Sequence, residues 1–122
     1  MLKKVAIIYG IVFLLIGILG FVPGITVHNM LLGIFHVNVW HNIIHILSGL
    51  IAFWVAVTSN RASQIYFQVF GIIYAIVAIL GFFYDYRSIF GFIANNPADA
   101  WLHTIIAIIT LYFGFRKKLA RN

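Results

Sequence analysis

The chain has 122 residues, 64% of them apolar, with eight Lys or Arg, two Asp or Glu and no cysteine. A soluble domain this short buries only a modest share of its surface, and about a quarter of its residues are normally charged, so the composition speaks against a water-soluble globule. Without thiols there are no disulfides or thiolate metal ligands, and the net charge of +6 sits at chain ends and connections rather than on a face with stacking aromatics, which speaks against nucleic acid as a partner.

After Lys3 and Lys4, residues 5–22 form an uncharged apolar run closed by Pro23-Gly24. The run is longer than a secretory h-region of about 7–15 residues and lacks a small-residue cleavage site, so it is read as a retained span rather than a signal peptide. The loop that follows carries His28 and His36, both expected at a solvated surface. Asn38 opens a second span over residues 40–57, with Trp40, His41 and His45 near its start. A connection from Thr58 to Gln64 holds Arg61, and the third span covers residues 65–84. Arg87 stands in the next loop, and Asn96-Pro97 opens a fourth span over residues 97–115 that carries Asp99 and His103. Asn is a favoured N-cap and Pro a favoured first helical residue, so helices are expected to start at Asn38 and Asn96. Arg116, Lys117, Lys118 and Arg121 follow the last span.

Each run approaches the roughly 20 residues that cross a hydrocarbon core as a helix. Only helices and closed barrels satisfy their backbone in lipid, and these runs lack the short alternating segments of a barrel. The expected fold is therefore all-α, a polytopic membrane protein of four helices in a single domain, residues 1–122, with the lipid bilayer as its surroundings. Seven of the eight basic residues lie at the two ends and in the Thr58–Gln64 connection. That distribution predicts both termini on the cytoplasmic side.

The first half recurs in the second. Tyr9-Gly10-Ile11 through Ile18-Leu19-Gly20-Phe21 returns as Phe70-Gly71-Ile72 through Ile79-Leu80-Gly81-Phe82, 61 residues on. At an offset of 58, Gly33 pairs with Gly91, Asn38 with Asn96, and His45 with His103. The halves, about 1–60 and 61–122, would form two tandem hairpins related by a pseudo-two-fold axis along the membrane normal, as in parallel repeats. Small residues fall at matched places: Gly10 with Gly71, Gly17 with Ala78, Gly20 with Gly81, and Gly49 with Ala107. Such residues let helices approach closely in lipid, and their placement suggests that the two halves face each other through them.

Chemistry is concentrated at one end. His41 and Asp99 occupy equivalent third positions after their caps, with His45 and His103 one turn deeper on the same helix faces. A two-fold relation would gather His41, His45, Asp99 and His103 at one depth in the outer half of the bundle. Neutral imidazoles and a carboxylate suit zinc, copper or iron. Haem held between His45 and His103 is a less favoured variant, with Gly49 and Ala107 leaving room for the macrocycle. The spacing His41-Asn42-Ile43-Ile44-His45 is that of a zinc-protease helix, but Asn42 stands where the general-base Glu would be, so proteolysis is unsupported. No catalytic motif is present. The competing reading is structural: Asp99 caps a helix, and the histidines hydrogen-bond across helices to fix packing. Ionisable groups within a span nonetheless point to function by default.

The stretch Gly33-Ile34-Phe35-His36-Val37-Asn38-Val39-Trp40-His41-Asn42-Ile43-Ile44-His45, followed by Gly49, resembles the bacterial membrane proteins catalogued as domain of unknown function 4383. Asn96, Asp99 and Leu102-His103 resemble that family's second motif, with Ala100 and Ala107 where the first motif has Asn42 and Gly49. The resemblance implies four transmembrane helices in a bacterial cytoplasmic (inner) membrane and no established activity. Two functions are carried forward: a protein that binds a metal ion or small polar ligand in a His-rich pocket at the outer end, and a structural or accessory subunit, alone, as a homo-oligomer or within a larger membrane complex. A membrane enzyme or redox carrier would require a cofactor with no motif here.

Overall fold

The computed structural model of the chain describes residues 1–116. Lys117, Lys118 and Arg121, which contribute to the expected charge asymmetry, lie outside the described residues. Four helices form: α1 (Leu2–Leu19), α2 (Val39–Thr58), α3 (Asn60–Tyr84) and α4 (Pro97–Phe115). All four are long and apolar enough to cross a membrane. At 1.5 Å per residue, the 18 residues of α1 span about 27 Å and the 25 of α3 about 38 Å. Large apolar side chains line the outside of the bundle, Trp54 and Val57 being 69% and 77% exposed. Monomeric soluble proteins rarely expose apolar patches beyond a few hundred Å², so a surface apolar along whole helices belongs in lipid. The fold is an all-α, multi-pass membrane protein.

Two boundaries differ from expectation for identifiable reasons. The first helix ends at Leu19 rather than residue 22, because the Thr26 hydroxyl donates to the Leu19 carbonyl at 2.8 Å and the chain turns back beneath it. The connection expected from Thr58 to Gln64 is one residue. Ser59 caps α3, its Oγ accepting from the Ala62 N–H at 2.9 Å, and Asn60 already begins the helix. Asn60 also accepts from the Lys3 backbone N–H at 3.1 Å, which joins the start of α1 to the start of α3.

The bundle has a terminal end, with Met1, Ser59 and Arg116, and a loop end, with residues 20–38 and 85–96. The first loop folds into a small antiparallel meander of β1 (Thr26–Val27), β2 (Met30–Leu31) and β3 (Phe35–His36). Strands of two residues carry no hydropathy alternation, and none were expected. Leu32-Gly33 and Phe90-Gly91 take the same backbone, φ of 55° then 71° in both. The second residue of each pair lies in the left-handed region that glycine enters without a Cβ penalty.

Helix α1 packs chiefly on α2 and α3 chiefly on α4, with α2 and α1 touching α3 between the pairs. The glycines among the small residues lie against their own hairpin partners, whereas Ala107 packs between the halves with Phe13 and Tyr74. A Cβ on Gly49 would lie 2.9 Å from the Gly10 carbonyl oxygen of α1, one on Gly17 would meet Ile46 of α2, and one on Gly20 would overlap the Asn42 side chain. In the second hairpin, Gly71 faces Leu111 and Gly81 faces Ala100 and Asn95; Gly114, not singled out from sequence, lies against the Gln68 backbone. Backbone approach of this kind is available only where no side chain intervenes. Between the hairpins the filling is aromatic. Tyr66 and Phe67 pack with Leu2, Ala6 and Ala52 near the terminal end, and Phe13, Tyr74 and Ala107 pack at mid-depth.

Candidate metal centre

Directly toward the loop end from Phe13 and Tyr74 lie three buried histidines. The start of α2 sets two of them. Asn38 is extended (φ −146°), and its Oδ1 accepts from the His41 N–H at 2.9 Å, fixing the first turn. His45 then lies one turn deeper on the same face. In α4, Asn96 and Asp99 cap each other reciprocally, the Asp99 N–H donating to Asn96 Oδ1 at 2.9 Å and the Asn96 N–H to Asp99 Oδ2 at 3.1 Å. One turn below Asp99, His103 faces the two histidines of α2. The rings of His41 and His45 are 4.6 Å apart by centroids, with His103 at 5.5 Å and 5.8 Å from them. One nitrogen from each ring lies within 4.8 Å of the others. Each residue is at most 3% exposed.

The hydrogen bonding of these rings is incomplete. His41 Nδ1 donates to the His36 carbonyl at 3.1 Å; a carbonyl only accepts, so that nitrogen carries the proton and Nε2 presents a lone pair. His41 Nε2 and both ring nitrogens of His45 and His103 have no hydrogen-bond partner among the described residues. Buried polar atoms are nearly always paired, and each left unpaired costs about 1–3 kcal/mol. A divalent cation accepting one lone pair from each ring would satisfy three of the five. Metal–nitrogen bonds of 2.0–2.1 Å in a tetrahedral set put the nitrogens roughly 3.4 Å apart, against a spacing here of up to 4.8 Å, so the rings would have to draw together on an ion.

Asp99, expected with the histidines, stands on the cap instead. Its Oδ2 accepts from the Asn96 N–H and also from the His36 N–H, both at 3.1 Å. It borders a cavity of about 160 Å³ together with His41 and His45, but it is not within the cluster of three. Its contribution passes through the backbone of His36, whose carbonyl orients His41. His36 was expected at a solvated surface. It is half-buried, with its N–H on Asp99, its carbonyl on His41 and its Nδ1 3.4 Å from the Asn95 carbonyl. Its role is carried by main-chain groups, which residue identity does not reveal. His28, in contrast, is exposed at the tip of the β1–β2 turn, with φ of 52°.

The loop end is bound to the cluster by a reciprocal pair of bonds. Asn38 Nδ2 donates to the Phe92 carbonyl of the second loop at 3.0 Å, and Asn96 Nδ2 donates to the Ile34 carbonyl of the first at 2.9 Å. Each helix cap thus reaches the other hairpin's loop. Asn95, fully buried, donates to the Gly81 and Asp85 carbonyls at 3.0 and 2.8 Å and closes the end of α3.

A second cavity, about 70 Å³, is bordered by all three histidines together with Ser48, Tyr74 and apolar side chains of α2 and α3. Pockets for organic ligands are typically several hundred Å³, so this space is too small for a macrocycle. The position proposed to admit haem is filled: Gly49 faces the Gly10 carbonyl and Leu14, and Ala107 packs with Phe13 and Tyr74.

Among known families, the model of the one described as Domain of unknown function (DUF4383) matches residues 3–116. No curated protein and no solved structure matches the chain.

Proposed function

We propose that this chain, which belongs to the family described as Domain of unknown function (DUF4383), binds a divalent transition-metal ion through His41, His45 and His103. The observation that carries the reading is the set of five unpartnered imidazole nitrogens in a buried cluster whose ligand atoms converge within 4.8 Å. An all-imidazole set suits zinc, copper or iron(II) better than magnesium or calcium, which prefer oxygen ligands. The His36 carbonyl on His41 is the kind of outer contact that fixes tautomer and ring orientation at metal sites. Asp99 enters this proposal as the residue that holds His36.

The wider setting is part of the same proposal. Lys3, Lys4 and Arg61 at the terminal end support a cytoplasmic location for that end in a bacterial inner membrane, which leaves the metal site near the outer surface. Duplication of a hairpin is supported by the equal backbone angles of Leu32-Gly33 and Phe90-Gly91 and by the reciprocal bonds of Asn38 and Asn96.

One observation favours a structural subunit instead. His45 meets Phe13 edge-on at 5.5 Å and His103 lies 5.7 Å from Tyr74, so the rings also serve as packing elements. Elemental analysis of detergent-purified protein separates the two readings, with a His45→Ala/His103→Ala double variant as control. Near-stoichiometric zinc, copper or iron that is lost in the folded variant is the expected result. A folded wild-type protein that stays empty when each of these ions is added would leave the structural reading.

A further inference from the structure

Two apolar clefts open on the flanks of the bundle near its terminal end. One, of about 390 Å³, lies between α1 and α4, with Val5, Ile8, Tyr9, Ile109 and Phe113 in its walls. The other, of about 320 Å³, lies between α2 and α3, with Ile51, Val55, Tyr66, Val69 and Phe70 in its walls. The offsets of 61 and 58 that align the halves of the sequence carry one lining onto the other. Val5, Ile8 and Tyr9 fall on Tyr66, Val69 and Phe70, and Ile51 and Val55 fall on Ile109 and Phe113. The mouths differ. The α2–α3 cleft ends at Thr58 and Ile65, beside the one-residue connection. In the same register the α1–α4 cleft ends at Arg116 and Lys4.

Both of these cations are exposed. Lys4 stands one helical turn before Ile8 and so on the cleft, whereas Lys3 stands one turn before Ile7, which is off it. Arg116 follows Phe113 by three residues, and its guanidinium carbon lies 5.3 Å from the centroid of the Tyr112 ring. The chain has two acidic side chains, Asp85 and Asp99, and both are at the loop end. Neither cation can therefore pair with a carboxylate side chain of its own chain. Arg61, next to Ala62 of the other cleft, is engaged differently and donates to Gln64 Oε1 at 2.9 Å.

The depth of the α1–α4 cleft selects among anions. From Val5 to Phe13 the helix rises about 12 Å, within the roughly 15 Å that one leaflet contributes to a hydrocarbon core of about 30 Å. Farther toward the loop end, Leu31 and Phe35 of the first loop border a common cavity with Ile16 and Leu102, so the seam is covered there. A partner helix that spans the membrane would need a groove along the full height. A single acyl chain needs one leaflet, and the cations at the mouth call for an anionic headgroup above it.

We propose that the α1–α4 cleft holds one acyl chain of an anionic phospholipid, with Lys4 and Arg116 on its phosphate. Basic side chains between membrane helices hold anionic headgroups in this way. The site lies at the opposite end of the bundle from the histidines and does not depend on metal binding.

The test is native mass spectrometry of the full-length protein in detergent, with phosphatidylglycerol and phosphatidylcholine of identical acyl chains. One phosphatidylglycerol bound in preference to phosphatidylcholine is expected. Lys4→Gln/Arg116→Gln should weaken that binding about 10- to 30-fold, at roughly fivefold per cation, and leave phosphatidylcholine unchanged. Lys3→Gln/Arg61→Gln removes the same charge from the same end, away from the cleft, and should change binding by less than about twofold because distant exposed charges are screened. Ile8→Trp, at a position 62% exposed, sets an indole where the acyl chain would lie and should weaken both lipids. Equal losses in the two charge variants would reduce the effect to net charge and overturn the site. Equal affinity of the wild type for the two lipids, or undiminished binding by the folded Ile8→Trp variant, would overturn it as well. Lipid-free dimers would overturn it by assigning the cleft to a second copy.

Discussion

Replacing Asp99 with alanine removes an acceptor shared by two backbone donors from different hairpins. Oδ2 takes the Asn96 N–H, on a residue only 8% exposed, and the His36 N–H from the first loop, each at 3.1 Å. A hydrogen bond contributes about 0.5–1.5 kcal/mol to a neutral acceptor and about 1.5–3 kcal/mol to a charged one, so losing two costs about 1–6 kcal/mol gross. Water at the loop end can replace part of the bond to half-buried His36, so we expect a net cost of about 1–4 kcal/mol. Asp99→Asn keeps an acceptor oxygen of the same size and should cost less, about 0.5–1 kcal/mol. The assay is reversible unfolding in mixed micelles with chelator present, so that metal binding does not contribute, followed through Trp40 and Trp101 at the starts of α2 and α4. Side-chain hydrogen bonds in one well-measured membrane protein average about 0.6 kcal/mol. A cost below about 1 kcal/mol for Asp99→Ala, or equal costs for the two variants, would refute the argument that a carboxylate clamps both groups. Metal affinity provides an independent readout, since releasing His36 frees the carbonyl that orients His41. Loss of such an outer contact typically lowers affinity 10- to 100-fold.

Three further predictions follow from other parts of the molecule. Gly49→Ala should destabilise by about 1–3 kcal/mol, the usual cost of overpacking, because the new methyl would stand 2.9 Å from the Gly10 carbonyl oxygen and 3.0 Å from the Leu14 nitrogen; unchanged unfolding would contradict the close α1–α2 contact. Zinc at 100 times its dissociation constant should raise wild-type stability by about 2.7 kcal/mol and leave His45→Ala/His103→Ala unmoved, and an equal response of the two proteins in thermal melts would refute the assigned ligands. Protons compete with the metal for the imidazole lone pairs, so affinity should fall as the folded protein is acidified; binding that stays undiminished in equilibrium dialysis down to the acid limit of folding would show that other groups hold the ion.

What could be read without coordinates was whatever depends on long-range averages or strong local chemistry. Four spans follow from sustained apolar runs, and they appear within a few residues of expectation for α1, α2 and α4. The start of α3 was misjudged because polar Asn60 to Gln64 resemble a connection, although Ser59 is a sufficient cap and Gln64 and Ser63 are buried. The histidines were legible from helical spacing, since residues four apart share a face. The partition between them and Asp99 was not, because it depends on a loop returning over the bundle to present the His36 N–H. Tyr74 was not legible, because a hydroxyl within an apolar run looks like packing; only the fold brings it against His103 and within 3.0 Å of Ser48 Oγ.

The exchanged bonds of Asn38 and Asn96 bear on how the molecule can associate. Donor on one hairpin meets acceptor on the other, and the converse holds, which is the arrangement of an isologous contact between two subunits, here made within one chain. A contact of that kind closes on itself. With each amide on the carbonyl of the opposite loop, the pair of bonds is complete within one chain, so no second copy is needed to close it. A contact with further copies would draw on other groups, the exposed Leu32 and Phe90 of the loops or the lipid-facing flanks of the helices.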